Sequence, residues 1–136
     1  MSQLAKQGVA AWHSYMAGGS HADTLRAMIA EDAVFHSPVV HTPQVGRDKV
    51  FMYLFAASKV LGSANFAYVR EILDGDTAML EFTDTLDGIH INGVDIIRWN
   101  ADGQIVDFKV MVRPLKAVNK LWEKMAAMLA VASSQP

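Results

Sequence analysis

The sequence predicts an α+β fold, in which helices pack on the concave face of a curved antiparallel sheet. Three observations support this. Hydrophobic residues recur at helical spacing through residues 1–62, four alternating runs with short turns fill residues 64–113, and a last helical stripe follows. Helices followed by consecutive strands are typical of α+β proteins. Such a cone-shaped fold encloses a concavity of the kind in which small molecules bind.

The composition narrows the class of protein. The chain has 136 residues, 51% of them hydrophobic, which predicts one domain over residues 1–131 and a loose tail at 132–136. A net charge of -2 without a Lys/Arg cluster argues against nucleic acid as a partner. There is no cysteine, so thiol chemistry and disulfides are excluded. No apolar run is long enough for a membrane span or a secretory leader, so we expect a cytoplasmic protein. No cofactor is expected.

Three helices are predicted before the strands begin. The first carries Leu4, Trp12 and Tyr15 on one face and stops at the Gly-Gly-Ser of residues 18–20. The second begins after a Ser20 or Asp23 cap and includes residues 25–29. The third runs from residue 47 to near residue 62. Between the last two lie a short strand at residues 33–38, ended by proline, and a loop at residues 39–46.

The second half is predicted as an antiparallel meander. Its four strands occupy residues 64–73, 77–86, 89–99 and 104–113, and Gly-containing turns separate them. A proline ends the last strand, and a final helix then presents one apolar stripe between residues 115 and 129.

Asp95 is the residue that most needs an explanation, because it lies among β-branched residues in the third of these strands. Strand alternation puts it on one face with Gly93, Ile97 and Trp99. It is either an exposed carboxylate at the strand surface or a pocket acid. In the pocket, burial would raise its pKa and favour a neutral form that donates a hydrogen bond.

Two segments resemble a known family. "EDAVFHSPVVHTPQVGRDKVFMYL" has an acidic pair, a short strand ending in proline, a loop to glycine and a helix, and "GVDIIRWNADGQIVDF" has an Asp-Gly turn before the last strand. In this order the elements resemble the nuclear transport factor 2-like superfamily, in its SnoaL-like and ketosteroid-isomerase-like branch. The resemblance covers nearly the whole chain and implies the cone-shaped fold. It does not specify a function, since this fold hosts many activities.

The resemblance implies roles for individual residues. The protonated acid of the steroid isomerases falls on Asp95, and their general base falls on Ser37, which is no base. Their helix-one tyrosine falls on His13, with Tyr15 two residues away. His41, in the loop after Ser37, is a second candidate base. The usual steroid isomerisation is therefore not expected.

The remaining candidates line the predicted pocket. Its walls are expected from both the helices and the strands: Trp12, Tyr53, Ile97, Trp99, Phe108, Val110 and Val112. Tyr15, Ser37 and Glu81 are further candidates for ligand contact. Glu81 is left open, because hydrophobicity turns Leu80 and Phe82 inward whereas an ungapped match to the isomerases turns Glu81 inward. The histidines match no common metal-ligand spacing, so no metal is expected.

The sequence favours binding of a small, largely apolar molecule with Asp95 as its polar anchor. It does not decide whether the chain is an enzyme. The enzyme interpretation is a cofactor-independent isomerase, lyase or hydrolase that uses Asp95 with His13 or His41. The alternative is a non-catalytic ligand-binding or accessory protein. In either case we expect a homodimer formed through the outer face of the sheet.

Overall fold

The computed structural model describes residues 3–134, with side chains for residues 3–130. Its helices are α1 (Leu4–Ala17), α2 (Ala22–Met28), α3 (Arg47–Val60) and α4 (Leu115–Ser134). Its strands are β1 (Ile29–His36), β2 (Gln44–Val45), β3 (Ala67–Asp74), β4 (Thr77–Leu86), β5 (Ile89–Trp99) and β6 (Ile105–Arg113). The predicted α+β architecture is confirmed.

The six strands form one curved sheet in the order β2-β1-β6-β5-β4-β3. The predicted meander is present, since β3, β4, β5 and β6 pair as antiparallel neighbours. The sheet is nevertheless mixed, because β1 runs parallel to β6. The expected antiparallel pairing therefore holds for β3 to β6 but not for the pair of β1 and β6. The pair joins strands that are distant in sequence, and no local turn signal announces such a pairing.

Side-chain alternation gives the sheet two different faces. On the concave face, Leu80, Phe82, Ile91, Ile97 and Phe108 are almost completely buried beneath the helices. The outer face carries the alternate, more polar residues of the same strands. Each Å² of apolar surface buried in this concave layer stabilises the fold by about 25 cal/mol. The inward sets predicted for β5 and β6 match this arrangement.

Several element boundaries differ from the sequence prediction. Residue 29 was expected in the second helix, but α2 ends at Met28 and Ile29 begins β1, four residues before the predicted strand. His21 occupies the N-cap position of α2 without a side-chain bond, so neither Ser20 nor Asp23 caps it. The expected loop at residues 39–46 contains the short strand β2. In the expected tail, α4 continues to Ser134, and residues 135–136 lie outside the described residues.

Gly8 allows α1 to lie close against β5. A Cβ atom on Gly8 would overlap the indole ring of Trp99, which is itself 2% exposed. The absence of a side chain at this point therefore sets the distance between α1 and the sheet. One turn further along the helix, the same face presents Trp12 to the interior.

We expect Gly8→Ala to destabilise the protein, although alanine is the better helix former by about 1 kcal/mol. The new methyl group has to displace either Trp99 or the whole helix, and such overpacking typically costs about 1–3 kcal/mol. Chemical denaturation measures the free energy of unfolding. Gln7→Ala, on the exposed side of α1, is the control and should change it by less than about 0.5 kcal/mol. Equal effects of the two substitutions would contradict the close contact.

Candidate functional site

A narrow cavity lies between the concave face of the sheet and helices α1, α3 and α4. Its volume is about 40 Å³. That is room for a few water-sized atoms and well below the ~300 Å³ of typical ligand pockets. Eighteen residues line it: Trp12, Met16, Phe35, Ser37, Pro38, Val39, Leu54, Ala57, Ser58, Leu61, Phe66, Tyr68, Phe82, Asp95, Phe108, Val110, Leu121 and Met125. Most of them are apolar or aromatic.

Asp95 is the one carboxyl group in this lining. In the sheet it lies between Leu80 of β4 and Val110 of β6, which are its direct neighbours in the register. Its exposed fraction is 6%, in agreement with the inward orientation expected from strand alternation. A charged carboxylate is costly in such a place unless it is hydrogen-bonded.

Two aromatic side chains form a hydrogen-bond chain that ends on Asp95. The Trp12 Nε1–H group donates to the hydroxyl oxygen of Tyr68 over 2.7 Å. The Tyr68 hydroxyl in turn donates to Oδ2 of Asp95 over 3.0 Å. The chain thus joins α1, β3 and β5, and each donor in it polarises the next.

Burial raises the pKa of Asp95 from its ordinary 3.8 to about 7, and the hydrogen bond from Tyr68 partly opposes that rise. Burial and then the nearby charge of Asp95 also raise the pKa of Tyr68, whose hydroxyl therefore keeps its proton. Burial likewise raises the pKa of Tyr15. Asp95 is thus neutral in a large share of molecules near pH 7, as a pocket acid must be in order to donate.

Tyr68 was not identified from the sequence. Residues 75–76 form the turn between β3 and β4, and a regular register from that turn would put Tyr68 opposite Thr83, whose side chain is on the outer face. A β-bulge between Tyr68 and Arg70 shifts the register by one residue, so that Tyr68 lies opposite Phe82 and turns inward. The other residues of β3 are exposed, and the sequence alone does not indicate the bulge. Regular alternation along this strand therefore assigns Tyr68 to the wrong face.

The candidate bases His13 and His41 lie outside the cavity. His13 is 38% exposed at the edge of the sheet, where its Nε2 contacts the carboxylate of Glu71 and its ring packs edge-on against Tyr68. His41 is exposed and borders a separate open groove with Pro43. Neither side chain reaches Asp95, so the two histidines do not share a site with it.

Glu81 is on the outer face. Leu80 and Phe82 take the inward positions of β4, so hydrophobicity, not the ungapped match to the isomerases, decides its orientation. Glu81 pairs there with Arg70 over 3.3 Å and accepts a hydrogen bond from Asn92 over 3.0 Å. The pair of carboxylates considered from the sequence, Glu81 with Asp95, does not form.

The expected pocket walls are partly in place. Trp12, Phe108 and Val110 line the cavity, and so does Ser37. Five other candidates do not line it. They lie behind it in the core or along its border: Tyr15, Tyr53, Ile97, Trp99 and Val112.

Two of these displaced candidates still support the walls. Tyr53 stacks on the ring of Phe35, with centroids 5.7 Å apart. Tyr15 shares a hydrogen bond of 2.8 Å with Ser58, which lines the cavity. Both therefore act through a neighbour and not by contact with the cavity.

Within the part of the chain that the structure describes, no group of three or more His, Asp or Glu side chains could hold a metal ion. In the same described part, no helix is long and apolar enough to cross a membrane.

Comparison with known proteins identifies the family and agrees with the fold. The model of the SnoaL-like domain family matches residues 9–108. The fold superimposes on a steroid delta-isomerase from Pseudomonas aeruginosa with a TM-score of 0.90 and 35% identity, covering 99% of this chain and 98% of the other. An uncharacterized protein with a cystatin-like fold from Silicibacter pomeroyi gives 0.81 and 31%, covering 93% and 86%.

A more distant structure shows the fold alone. An NTF2-like protein from Mesorhizobium loti has a TM-score of 0.70 and 20% identity, with 83% of this chain and 93% of the other covered. Curated proteins give no significant match to the sequence. The family match and the two closer structures together show that the chain belongs to the SnoaL-like family, whose fold is that of the nuclear transport factor 2-like proteins.

Proposed function

We propose that the chain binds a small, largely apolar molecule in the cavity and that neutral Asp95 is the polar group that holds it. The observation that carries this proposal is the Trp12–Tyr68–Asp95 chain of hydrogen bonds, which ends in a space lined mostly by apolar side chains. Pockets of this kind use a few placed polar groups to orient an apolar ligand. The SnoaL-like fold agrees with small-molecule binding.

The direction of the hydrogen bonds indicates which ligand atom faces Asp95. Oδ2 accepts from Tyr68, whereas Oδ1 has no hydrogen-bond partner among the described residues. When Asp95 is neutral, its proton is therefore available on Oδ1 for a ligand. The matching ligand group is an acceptor, such as a carbonyl oxygen.

Binding requires the cavity to widen, because its volume of about 40 Å³ is too small for such a ligand. Met16 and Met125 are both in the lining, and methionine changes rotamer easily. Met125 lies on α4 and Met16 near the end of α1, so their displacement would enlarge the space without moving the sheet.

Isomerase-type turnover is the second candidate function, and the 35% identity with the Pseudomonas aeruginosa steroid delta-isomerase favours it. Asp95 and Tyr68 are the only titratable side chains among the described residues that line the cavity. A carboxyl group with a pKa of about 7 is well matched to proton transfer near neutral pH. Without a second base, Asp95 would have to take the substrate proton and return it to another carbon.

The outer face of the sheet is proposed as a homodimer interface. Large apolar side chains on or beside it are well exposed, with Ile72 at 55% and Met111 at 49%. They alternate with charges of both signs, including Arg70 and Glu81. A second copy related by a two-fold axis can satisfy such a surface with itself.

The stability of the protein should fall as the pH rises from about 4 to 7. The pKa of Asp95 is raised in the folded state, so the folded chain holds this proton more tightly than the unfolded chain does. The stabilisation is complete below pH 4 and is lost through this range, by about 4 kcal/mol in total. Asp95→Asn should remove this component, as measured by urea unfolding at a series of pH values. Asp102→Asn, in an exposed turn, is the control and should keep it.

Asp95→Asn also separates binding from turnover, because asparagine donates a hydrogen bond but transfers no proton. Acetophenone, a small ketone, should bind the wild type more weakly above pH 7, by about tenfold per pH unit. It should bind the variant independently of pH, as followed by NMR. Turnover of a β,γ-unsaturated ketone, if present, should fall at least ~100-fold in the variant. Unaltered pH dependence in the variant would remove Asp95 from the site.

Lysine at Ile72 and Met111 together should convert the expected dimer into a monomer, because like charges would then face each other in an apolar contact. Sedimentation equilibrium measures the mass. Leu115→Lys is the control, since Leu115 is an apolar residue with 74% exposure on α4. A wild-type protein that sediments as a monomer at all concentrations would exclude the interface.

A further inference from the structure

Ser37 lies where the cavity adjoins a second, more open groove. It follows directly after β1, and it borders both the cavity and the open groove that contains His41. A ligand that enters from this side must pass its hydroxyl group. The chemistry of that hydroxyl is therefore relevant to which ligands are accepted.

The hydrogen bonds of Ser37 leave it able to act only as a donor. Its Oγ atom accepts from the backbone N–H of Val39 over 3.1 Å and from that of Val40 over 3.2 Å. A serine hydroxyl has two acceptor lone pairs and one proton, so both lone pairs are occupied. Among the described residues, no acceptor takes the remaining proton. Ser37 accordingly cannot receive a proton from a substrate, but it can donate a hydrogen bond.

The sheet register gives the spacing between Ser37 and Asp95. Val110 of β6 lies opposite Asp95 of β5, and Lys109 of β6 lies beside His36 of β1. Ser37, the residue after His36, is therefore next to Val110 on the side of β6 that faces away from β5. Two steps between neighbouring strands separate the backbones of Ser37 and Asp95 by about 10 Å. On a concave face the side chains approach each other more closely than the backbones do.

We propose that Ser37 is a second donor to the ligand, and that this cavity selects compact apolar molecules with two acceptor oxygens, one for Asp95 and one for Ser37. The surface between the two donors is apolar, with Phe108 and Val110 both lining it. A diketone with a hydrocarbon body has the matching chemistry. This inference rests on the proposed function, because it needs Asp95 to hold the first oxygen.

Two shape-matched ketones test the proposal. In 1,4-diacetylbenzene both ends carry a carbonyl group, whereas in 4-isopropylacetophenone one carbonyl is replaced by a branched alkyl group. At pH 6, the wild type should bind the diketone about tenfold more tightly, as expected for one additional net hydrogen bond. Isothermal titration calorimetry or NMR titration gives both dissociation constants.

The ratio of the two dissociation constants is the readout, because a loop disturbed by substitution would weaken both ketones together. Ser37→Ala should bring the ratio to within about twofold of one. Ser37→Thr keeps the hydroxyl and should preserve most of the preference. Ser14→Ala is the control, since Ser14 is an exposed serine on α1 that does not line the cavity. It should leave the ratio unchanged.

The outcomes distinguish this inference from the function on which it rests. Equal affinities for the two ketones in the wild type, or a preference that survives in Ser37→Ala, would overturn the role of Ser37 while leaving Asp95 as the anchor. Failure of both ketones to bind at pH 6 would overturn the proposed function itself, and the role of Ser37 with it.

Discussion

The burial of one carboxyl group constrains the rest of this structure. Asp95 is enclosed by apolar side chains, and only the hydroxyl of Tyr68 donates to it among the described residues. Because an unsatisfied carboxylate in this place would be costly, β3 must present Tyr68 and α1 must present Trp12. The close contact of Gly8 with β5 sets the depth of α1. Helix docking, strand register and the chemistry of the cavity are therefore parts of one arrangement.

The two faces of the sheet serve different purposes because side chains alternate along each strand. On the concave face, aromatic rings surround the carboxyl group of Asp95. The outer face carries charged side chains and exposed apolar side chains. The acid raises the question of catalysis, whereas Ser37, in place of a base, argues for recognition. A hydroxyl with both lone pairs occupied adds a donor to the cavity and no proton acceptor. The described cavity therefore lacks the second base that a two-group acid/base reaction needs, which is consistent with the proposed role in ligand binding.

Much of the architecture could be predicted because it depends on local patterns. The four helices, the meander and the inward orientation of Ile97 and Phe108 all follow from hydrophobic periodicity and turn residues. The parallel pairing of β1 with β6 could not be predicted, since it joins distant segments. The position of His13 outside the cavity was also missed. Helical spacing gives the face of a side chain but not which neighbouring element it meets.

By itself, the sequence determined the fold class and the family, because both depend on residue order and period, and it left open whether Asp95 is exposed or in a pocket. The tertiary structure decided what surrounds that acid. A single extra residue in β3, at the bulge before Arg70, turns Tyr68 from the outer face to the concave face and brings its hydroxyl to Asp95. This register depends on how β3 pairs with β4, which local sequence patterns do not specify. Because side chains alternate between the two faces of a strand, a shift of one residue moves every side chain beyond the bulge to the opposite face.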